Sequence, residues 1–340
     1  MGNLIVTAEN MTGSLWLSVM PFLISFGVTA LISPILIPWL KRLKFGQEIL
    51  EIGPSWHKSK EGTPTMGGIA FICGVSVSVI LALLVRHSLP LLMIFVISFG
   101  FGIIGFTDDY IKVVKKRNLG LTARQKFLLQ TILAVIYVVV MARTGNLDNH
   151  IIIPFLEKTV TVPWVLYVIL IMFVVTGTVN AVNLTDGIDG LATSITAVVC
   201  LFFVIASVML SDLNSMWYSM AVLGGCLAFL MFNAHPAKMF MGDTGSLFLG
   251  GSVSVLAVGL KMPLILIIVG FVYLFETISV IIQVTSFKLT KKRVFKMTPI
   301  HHHFEMCGWK ENKIVGVFTA VTAILCIIGV LAILPYSVGI

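Results

Sequence analysis

Ten apolar runs, each long enough to cross a hydrocarbon layer of ~30 Å as a helix, occupy most of this chain and leave only short polar segments between them. Their approximate limits are 15 to 40, 66 to 85, 90 to 107, 127 to 142, 163 to 180, 191 to 210, 216 to 232, 245 to 260, 263 to 287 and 314 to 334. In lipid a backbone must satisfy its own polar groups. Runs this long therefore form helices, because β-barrel strands would alternate apolar and polar residues. With 58% hydrophobic and 11% charged residues over 340 positions, a water-soluble globule is excluded. The expectation is a single all-α integral membrane domain over 1–340 with about ten transmembrane helices. The pairs separated only by Arg86 to Leu89 and by Lys261 to Met262 must then be tight hairpins.

Basic residues orient the bundle, since cytoplasmic loops retain Lys and Arg. With the N-terminus outside, the first inner loop holds Lys41, Arg42, Lys44, Lys58 and Lys60, and the second holds Lys112, Lys115, Lys116, Arg117, Arg124 and Lys126. The third has Lys238, and the fourth Lys288, Lys291, Lys292, Arg293, Lys296, Lys310 and Lys313. Nineteen of the 23 basic residues then lie inside, leaving Arg86, Arg143, Lys158 and Lys261 outside. Both termini are expected outside. The net charge of +8 reflects this topology and anionic partners, not nucleic acid, for which no aromatic-basic module exists.

Met1 to Ser14 has no basic n-region, so the first run is expected to stay in the membrane. The five cysteines are scattered without a CxxC pair, which argues against a disulfide framework. No inverted repeat or low-complexity linker interrupts the chain. In the outer loop Thr144 to Val162, the stretch from His150 mixes β-branched residues with Pro154 and suggests a small hairpin.

Five aspartates, Asp108, Asp109, Asp186, Asp189 and Asp243, fall in three polar segments on the predicted inner side. Carboxylates beside lipid are costly unless a cation, a partner or water compensates them, so these segments mark a site for metal and phosphate. In Phe106 to Lys112, Asp108 and Lys112 share a helical face and Asp109 adjoins them. An interfacial ion pair is the plain alternative, but two adjacent carboxylates repel and favour a bound cation.

Between Asn180 and Gly190, oxygen-bearing side chains recur every third residue, at Asn180, Asn183, Asp186 and Asp189. Gly187 and Gly190 weaken a continuous helix, so a break is expected, with N–H groups and amides open to a phosphate or sugar. Capping accounts for one or two of the four. In the segment from Asn233 to Ser246, Gly242 and Gly245 bracket Asp243 and Thr244, ahead of the next helix. An N-cap would look the same, yet a Mg²⁺-bound phosphate could use the same exposed N–H groups. Phe240 either packs or stacks a base.

The last inner loop carries His301, His302 and His303 before Glu305. Adjacent histidines cannot all face one way on a helix, so at most two serve one site. Zinc with Cys307 lacks a second Cys/His pair, so pyrophosphate donors or an acid for a leaving phosphate fit better. The preceding Lys/Arg run reads as a headgroup-facing surface. Glu276 and Gln283, inside the ninth run, read as helix-packing polar contacts.

Together the runs FTDDYIKV, NAVNLTDGIDGLA, MGDTGSLFLGG and TPIHHHFE resemble the phospho-N-acetylmuramoyl-pentapeptide translocase family of the polyprenyl-phosphate N-acetylhexosamine-1-phosphate transferases. The resemblance spans nearly the whole chain. It implies a ten-span, homodimeric, Mg²⁺-dependent enzyme of the bacterial inner (plasma) membrane with a cytoplasmic active site. Such an enzyme transfers phospho-MurNAc-pentapeptide from UDP-MurNAc-pentapeptide to undecaprenyl phosphate, giving lipid I and UMP. By motif, Asp108 and Asp109 are the implied catalytic carboxylates, with Asp108 the favoured base, and Asp243 the principal Mg²⁺ ligand. His301, His302 and His303 are implied to bind pyrophosphate or assist. Asn180, Asn183, Asp186, Asp189, Asn233, Phe240 and Gly242 would form the uridine-side pocket, and the resemblance implies Lys60, Thr65, Lys112 and Lys126 as further substrate-binding positions.

Three other readings compete. A GlcNAc-1-phosphate transferase acting on the same lipid is disfavoured by HHHFE. A CDP-alcohol phosphotransferase needs DGxxAR with further spaced aspartates, but the next acid after Gly190 is Asp212, on the outer side. A transporter would place charges mid-membrane, whereas nearly all acids here cluster at one interface.

Overall fold

The structure, a computed structural model, describes residues 8–42, 62–115, 120–156 and 158–337. Each expected apolar run forms helix. In chain order they are α1 (Ala8–Arg42), α2 (Gly68–Val85), α3 (Leu89–Val114), α4 (Ala123–Arg143), α5 (Trp164–Thr185), α6 (Leu191–Met209), α7 (Leu213–Asn233) and α8 (Gly242–Gly259). They continue with α9 (Leu266–Val269), α10 (Phe271–Thr290), a short α11 (Ile300–Met306) and α12 (Glu311–Ile333). Among the described residues, nine helices are long and apolar enough to cross a membrane. The chain is thus an all-α, multi-pass membrane protein.

The expected eighth and ninth runs differ from simple spans. Helix α8 is not among the nine, because Gly, Ser, Thr and Asp dilute its apolar residues. It lies in the middle of the bundle, with every residue from Thr244 to Val258 buried. The ninth run is broken: a 3-10 turn at Pro263–Ile265 and α9 stop at Gly270, and α10 continues from there.

Apolar side chains gain little from meeting one another in lipid, so close approach of helices relies on small residues and satisfied polar atoms. Hydroxyls inside the bundle mostly donate to the carbonyl four residues back, as Ser98 does to Ile94, Thr196 to Ala192 and Ser252 to Phe248. Others link helices: Tyr218 to Ser252 at 2.8 Å, Thr196 to Tyr273 at 2.8 Å, and Tyr137 to the Val255 carbonyl at 3.3 Å. At Gly105 of α3 the backbone of α8 comes so near that a Cβ would collide with the Asp243 carbonyl.

On the predicted outer side, β1 (His150–Ile153) and β2 (Lys158–Thr161) pair antiparallel, with His150 opposite Thr161 and Ile153 opposite Lys158. The Tyr336 hydroxyl reaches the carbonyls of Ile153 and Lys158, and Lys261 pairs with Asp148 at 2.7 Å. The expected hairpin is therefore present and tied to the bundle.

Gly105→Ala is expected to destabilise the protein by roughly 1–3 kcal/mol through overpacking. Gly177→Ala, in α5 with nothing within 4 Å of its Cβ position, is the control and should match or slightly exceed the parent. Thermal unfolding of both variants in detergent checks this, and equal melting temperatures would refute the close α3–α8 contact.

Candidate active site

Four helix ends converge on one charged cluster. Helix α3 runs two turns beyond its last apolar stretch and so presents Asp108, Asp109 and Lys112. Helix α4 opens with a reciprocal cap, in which Gln125 N–H donates to Thr122 Oγ1 and Thr122 N–H to Gln125 Oε1, setting Lys126 in the first turn. Helix α5 brings Asn183 near its C-terminus, and α8 brings Asp243 in its first turn.

Lys112 Nζ lies 2.6 Å from Asp108 Oδ2 and 2.9 Å from Asp243 Oδ2. Lys126 Nζ bridges the same two oxygens at 3.0 and 2.7 Å. Asp108 also takes the Leu121 N–H on Oδ1 at 2.7 Å, and Asn183 Nδ2 donates to Asp243 Oδ1 and Ser246 Oγ, both at 2.8 Å. Asp109 accepts from Asp243 N–H at 3.2 Å, Thr244 N–H at 2.9 Å and Thr244 Oγ1 at 2.7 Å. One oxygen from each of Asp108, Asp109 and Asp243 falls within 4.8 Å of the others, so together they could hold a metal ion.

One expectation needs correcting here. The N–H groups opening α8 do not await a phosphate, because the Asp109 carboxylate already occupies them. This helix N-terminus binds an anion, but the anion belongs to the protein. Gly242, at φ +69°, opens α8 beside Asp109 and Thr65.

The asparagine and aspartate row diverges. α5 continues as far as Thr185, and the break follows at Asp186 to Gly190. Asn183 joins the cluster, whereas Asn180 turns to Gln130 Oε1 on α4 at 2.7 Å. Asp186, half-buried at the break, has its carboxyl held well above the usual range by burial and by the charges of Asp243, Asp109 and Asp189. Asp189 faces a second group: its Oδ2 meets His235 Nδ1 at 2.9 Å and Ala237 N–H at 3.0 Å, and Glu311 stands 3.6 Å from the same imidazole. That group could also hold a metal ion. Beside it opens a cavity of about 680 Å³, walled in part by Thr63, Glu305, Trp309 and Lys310.

Asn233 is buried and committed to Thr193 and the Met239 carbonyl, which fixes the exit of α7. Phe240 is half-buried, and its backbone pairs with Pro64 and Gly67, drawing Thr65 alongside. Lys60 lies outside the described residues.

The three histidines separate as helix geometry requires. His301 is fully buried, with Nδ1 3.1 Å from Glu276 of α10, and its Nε2 abuts Gly187 so closely that a Cβ there would collide. Glu276 is therefore the partner of a histidine rather than only a contact between helices. His302 meets Glu305 at 2.6 Å. His303 accepts the Lys296 N–H and lies edge-on to Phe295. Among the described residues neither metal-capable group includes a cysteine.

Sequence reasoning passed over Gln130, Ser246, His235 and Glu311. Gln130 carried a signal, an amide within an apolar run. Glu311 opens α12 but, in sequence, lies before the tenth apolar run and read as loop.

Residues 91–261 match the profile of glycosyl transferase family 4, so this bundle is a multi-pass membrane enzyme of the glycosyl transferase class. Residues 60–72 match the phospho-N-acetylmuramoyl-pentapeptide-transferase signature 1. A curated phospho-N-acetylmuramoyl-pentapeptide-transferase of Acetivibrio thermocellus is 50% identical, covering 92% of this chain and 94% of its own. Those of Bacillus cytotoxicus and Clostridium botulinum are 47% and 48% identical over 90% and 91% of the chain and 95% and 94% of theirs. The chain belongs to the phospho-N-acetylmuramoyl-pentapeptide-transferase family and is an enzyme of that activity.

Gly187→Ala is expected to push His301 and α11 away from the Asp186 turn. Displacements near 1 Å lower turnover about 100-fold. Steady-state assays with a folded variant would check this, and parental kcat would show that the contact is dispensable.

Proposed function

We propose that the enzyme transfers phospho-N-acetylmuramoyl-pentapeptide from UDP-MurNAc-pentapeptide to undecaprenyl phosphate, releasing UMP and forming lipid I. The observation carrying this reading is the convergence of Asp108, Asp109 and Asp243 with Lys112 and Lys126. Bringing an anionic phosphate to a diphosphate costs roughly 4 kcal/mol per unit charge pair at ~4 Å and an effective dielectric of ~20. Two lysines against three carboxylates leave a formal negative excess, which favours a further cation.

The donor set suits Mg²⁺, since all three side chains offer hard oxygens. Asp243 is the most accessible, its side chain 17% exposed against 1% for Asp108 and 5% for Asp109. This supports Asp243 as the principal ligand. The ion's contribution would be charge neutralisation between the two anionic reactants.

Asp108, flanked by both lysines, takes the proton of the lipid phosphate. An oxygen of that phosphate then bonds to the sugar-linked phosphorus while the bond to the UMP oxygen breaks. Lys112 and Lys126 exchange part of their pairing with Asp108 and Asp243 for the phosphates. The nucleotide end is directed toward Asp186 and Asp189, where the cavity of about 680 Å³ has room for it. His302, paired with Glu305 on that cavity's wall, and the buried His301 support the diphosphate side from α11. A homodimer in the bacterial plasma membrane, with this site cytoplasmic, completes the proposal.

Asp243→Asn is expected to abolish UMP release from UDP-MurNAc-pentapeptide in saturating Mg²⁺ while leaving the melting temperature within a few degrees of the parent's. Substantial turnover would remove Asp243 from its metal role. For the topology, a membrane-impermeant thiol reagent applied outside intact cells should label Cys placed at Asn149 and spare Cys placed at Lys115. The reverse pattern would invert the bundle.

A further inference from the structure

The inner end of α10 carries positive charge that the transfer reaction does not use. Lys288, Lys291, Lys292, Arg293 and Lys296 are all exposed, and no Asp or Glu occurs between Glu276 and Glu305. Lys288 and Arg293 line a cavity of about 360 Å³, with Val284 and Phe287 on its apolar wall and Gln283 and Thr298 also bordering it. That wall continues along α10 through the exposed Ile281, two turns before Lys288 and on its face. Helix α10 is the least buried of the nine crossing helices, so this face meets acyl chains. The cavity therefore offers cations at the depth of headgroups and hydrocarbon contact below them.

Its walls also connect to α11. Gln283 Oε1 accepts the N–H groups of Val294 and Phe295, each at 3.0 Å, and Nε2 donates to the Phe295 carbonyl at 3.2 Å. Lys296 N–H donates to His303 Nδ1 at 3.1 Å, and its Nζ to the Met306 carbonyl at 3.0 Å. Whatever pins this segment also steadies the histidine helix.

We propose that the cavity binds the phosphate headgroup of an anionic diacyl phospholipid of the surrounding leaflet, whose chains lie along α10, and that the bound lipid holds the segment leading into α11. Charge complementarity selects an anionic headgroup, and the apolar wall selects a lipid over free phosphate. The lipid acceptor is a different occupant. Its phosphate has to reach a cluster built on α3, α4 and α8, whereas α10 packs chiefly on α5, α9, α11 and α12. The inference rests on α10 lying in the membrane and stands apart from the catalytic proposal.

Native mass spectrometry of the full chain in detergent, titrated with phosphatidylglycerol, phosphatidylcholine or a polyprenyl phosphate, tests the site. Phosphatidylglycerol is expected to bind in preference to phosphatidylcholine, and Lys288→Gln with Arg293→Gln to weaken it roughly ten-fold. The pair Lys291→Gln with Lys292→Gln removes the same charge outside the cavity and is expected to weaken it less than about three-fold. Equal losses in both pairs would reduce the feature to diffuse surface attraction and overturn the site. Polyprenyl phosphate binding more tightly, and only when Lys288 and Arg293 are present, would reassign the cavity to the acceptor. Hydrogen exchange of the unmodified protein in nanodiscs needs no variant: phosphatidylglycerol should slow exchange across 291–306 relative to phosphatidylcholine alone, and equal rates would sink the proposal.

Discussion

The contact on which the site depends is the Asp109 carboxylate seated on the N-terminus of α8. An anion in a partly buried position of this kind stabilises a helix by up to ~2 kcal/mol, and here it receives two backbone N–H groups and the Thr244 hydroxyl. It joins the C-terminal end of α3 to the start of α8, the two helices whose backbones also meet at Gly105. Because the Asp243 N–H is one of the donors, the same contact sets where the Asp243 side chain points. Asp109 is thereby a constraint on the site's shape as much as one of its charges.

A second constraint comes from behind the nucleotide-side turn. His301, fully enclosed between Glu276 and Gly187, wedges α11 against the break that carries Asp186 and leads to Asp189. A glycine at 187 is what permits the imidazole to approach. The Asp186 carboxyl is pushed up by burial and by the charges of the neighbouring acids. The turn is thus placed by packing and tuned by the carboxylates across the cleft.

Much of this was legible in the sequence, for physical reasons. Apolar runs in lipid have one available backbone solution, so the helices, α8 included, could be placed, although the run from 263 to 287 was read as one span and is broken at Gly270. Charged residues at span ends stood out against an apolar background, which made Asp108, Asp109, Lys112, Lys126 and Asp243 readable. Partner choice was not readable. That Asn183 turns to Asp243 while Asn180 turns to Gln130 depends on where α4 and α8 lie beside α5. Likewise, sequence spacing could show that three histidines must diverge, but not that Glu276 would receive one of them. The filled N-terminus of α8 was misread because a helix start looks the same from sequence whether its anion is a ligand or a side chain 134 residues earlier in the chain.

The cluster behaves as one unit because its five charges share atoms. Both lysines contact the same Oδ2 of Asp108 and the same Oδ2 of Asp243. Removing either lysine therefore leaves two carboxylates facing each other across the remaining ammonium, and removing either carboxylate frees positive charge for the rest. Energies of such groups do not add, so single substitutions report the reorganisation of the set and not the worth of one residue. The same sharing suits the reaction. A phosphate entering the cluster meets ammonium groups already poised between two carboxylates, and can replace part of their pairing without an isolated charge being exposed in the low-dielectric interior.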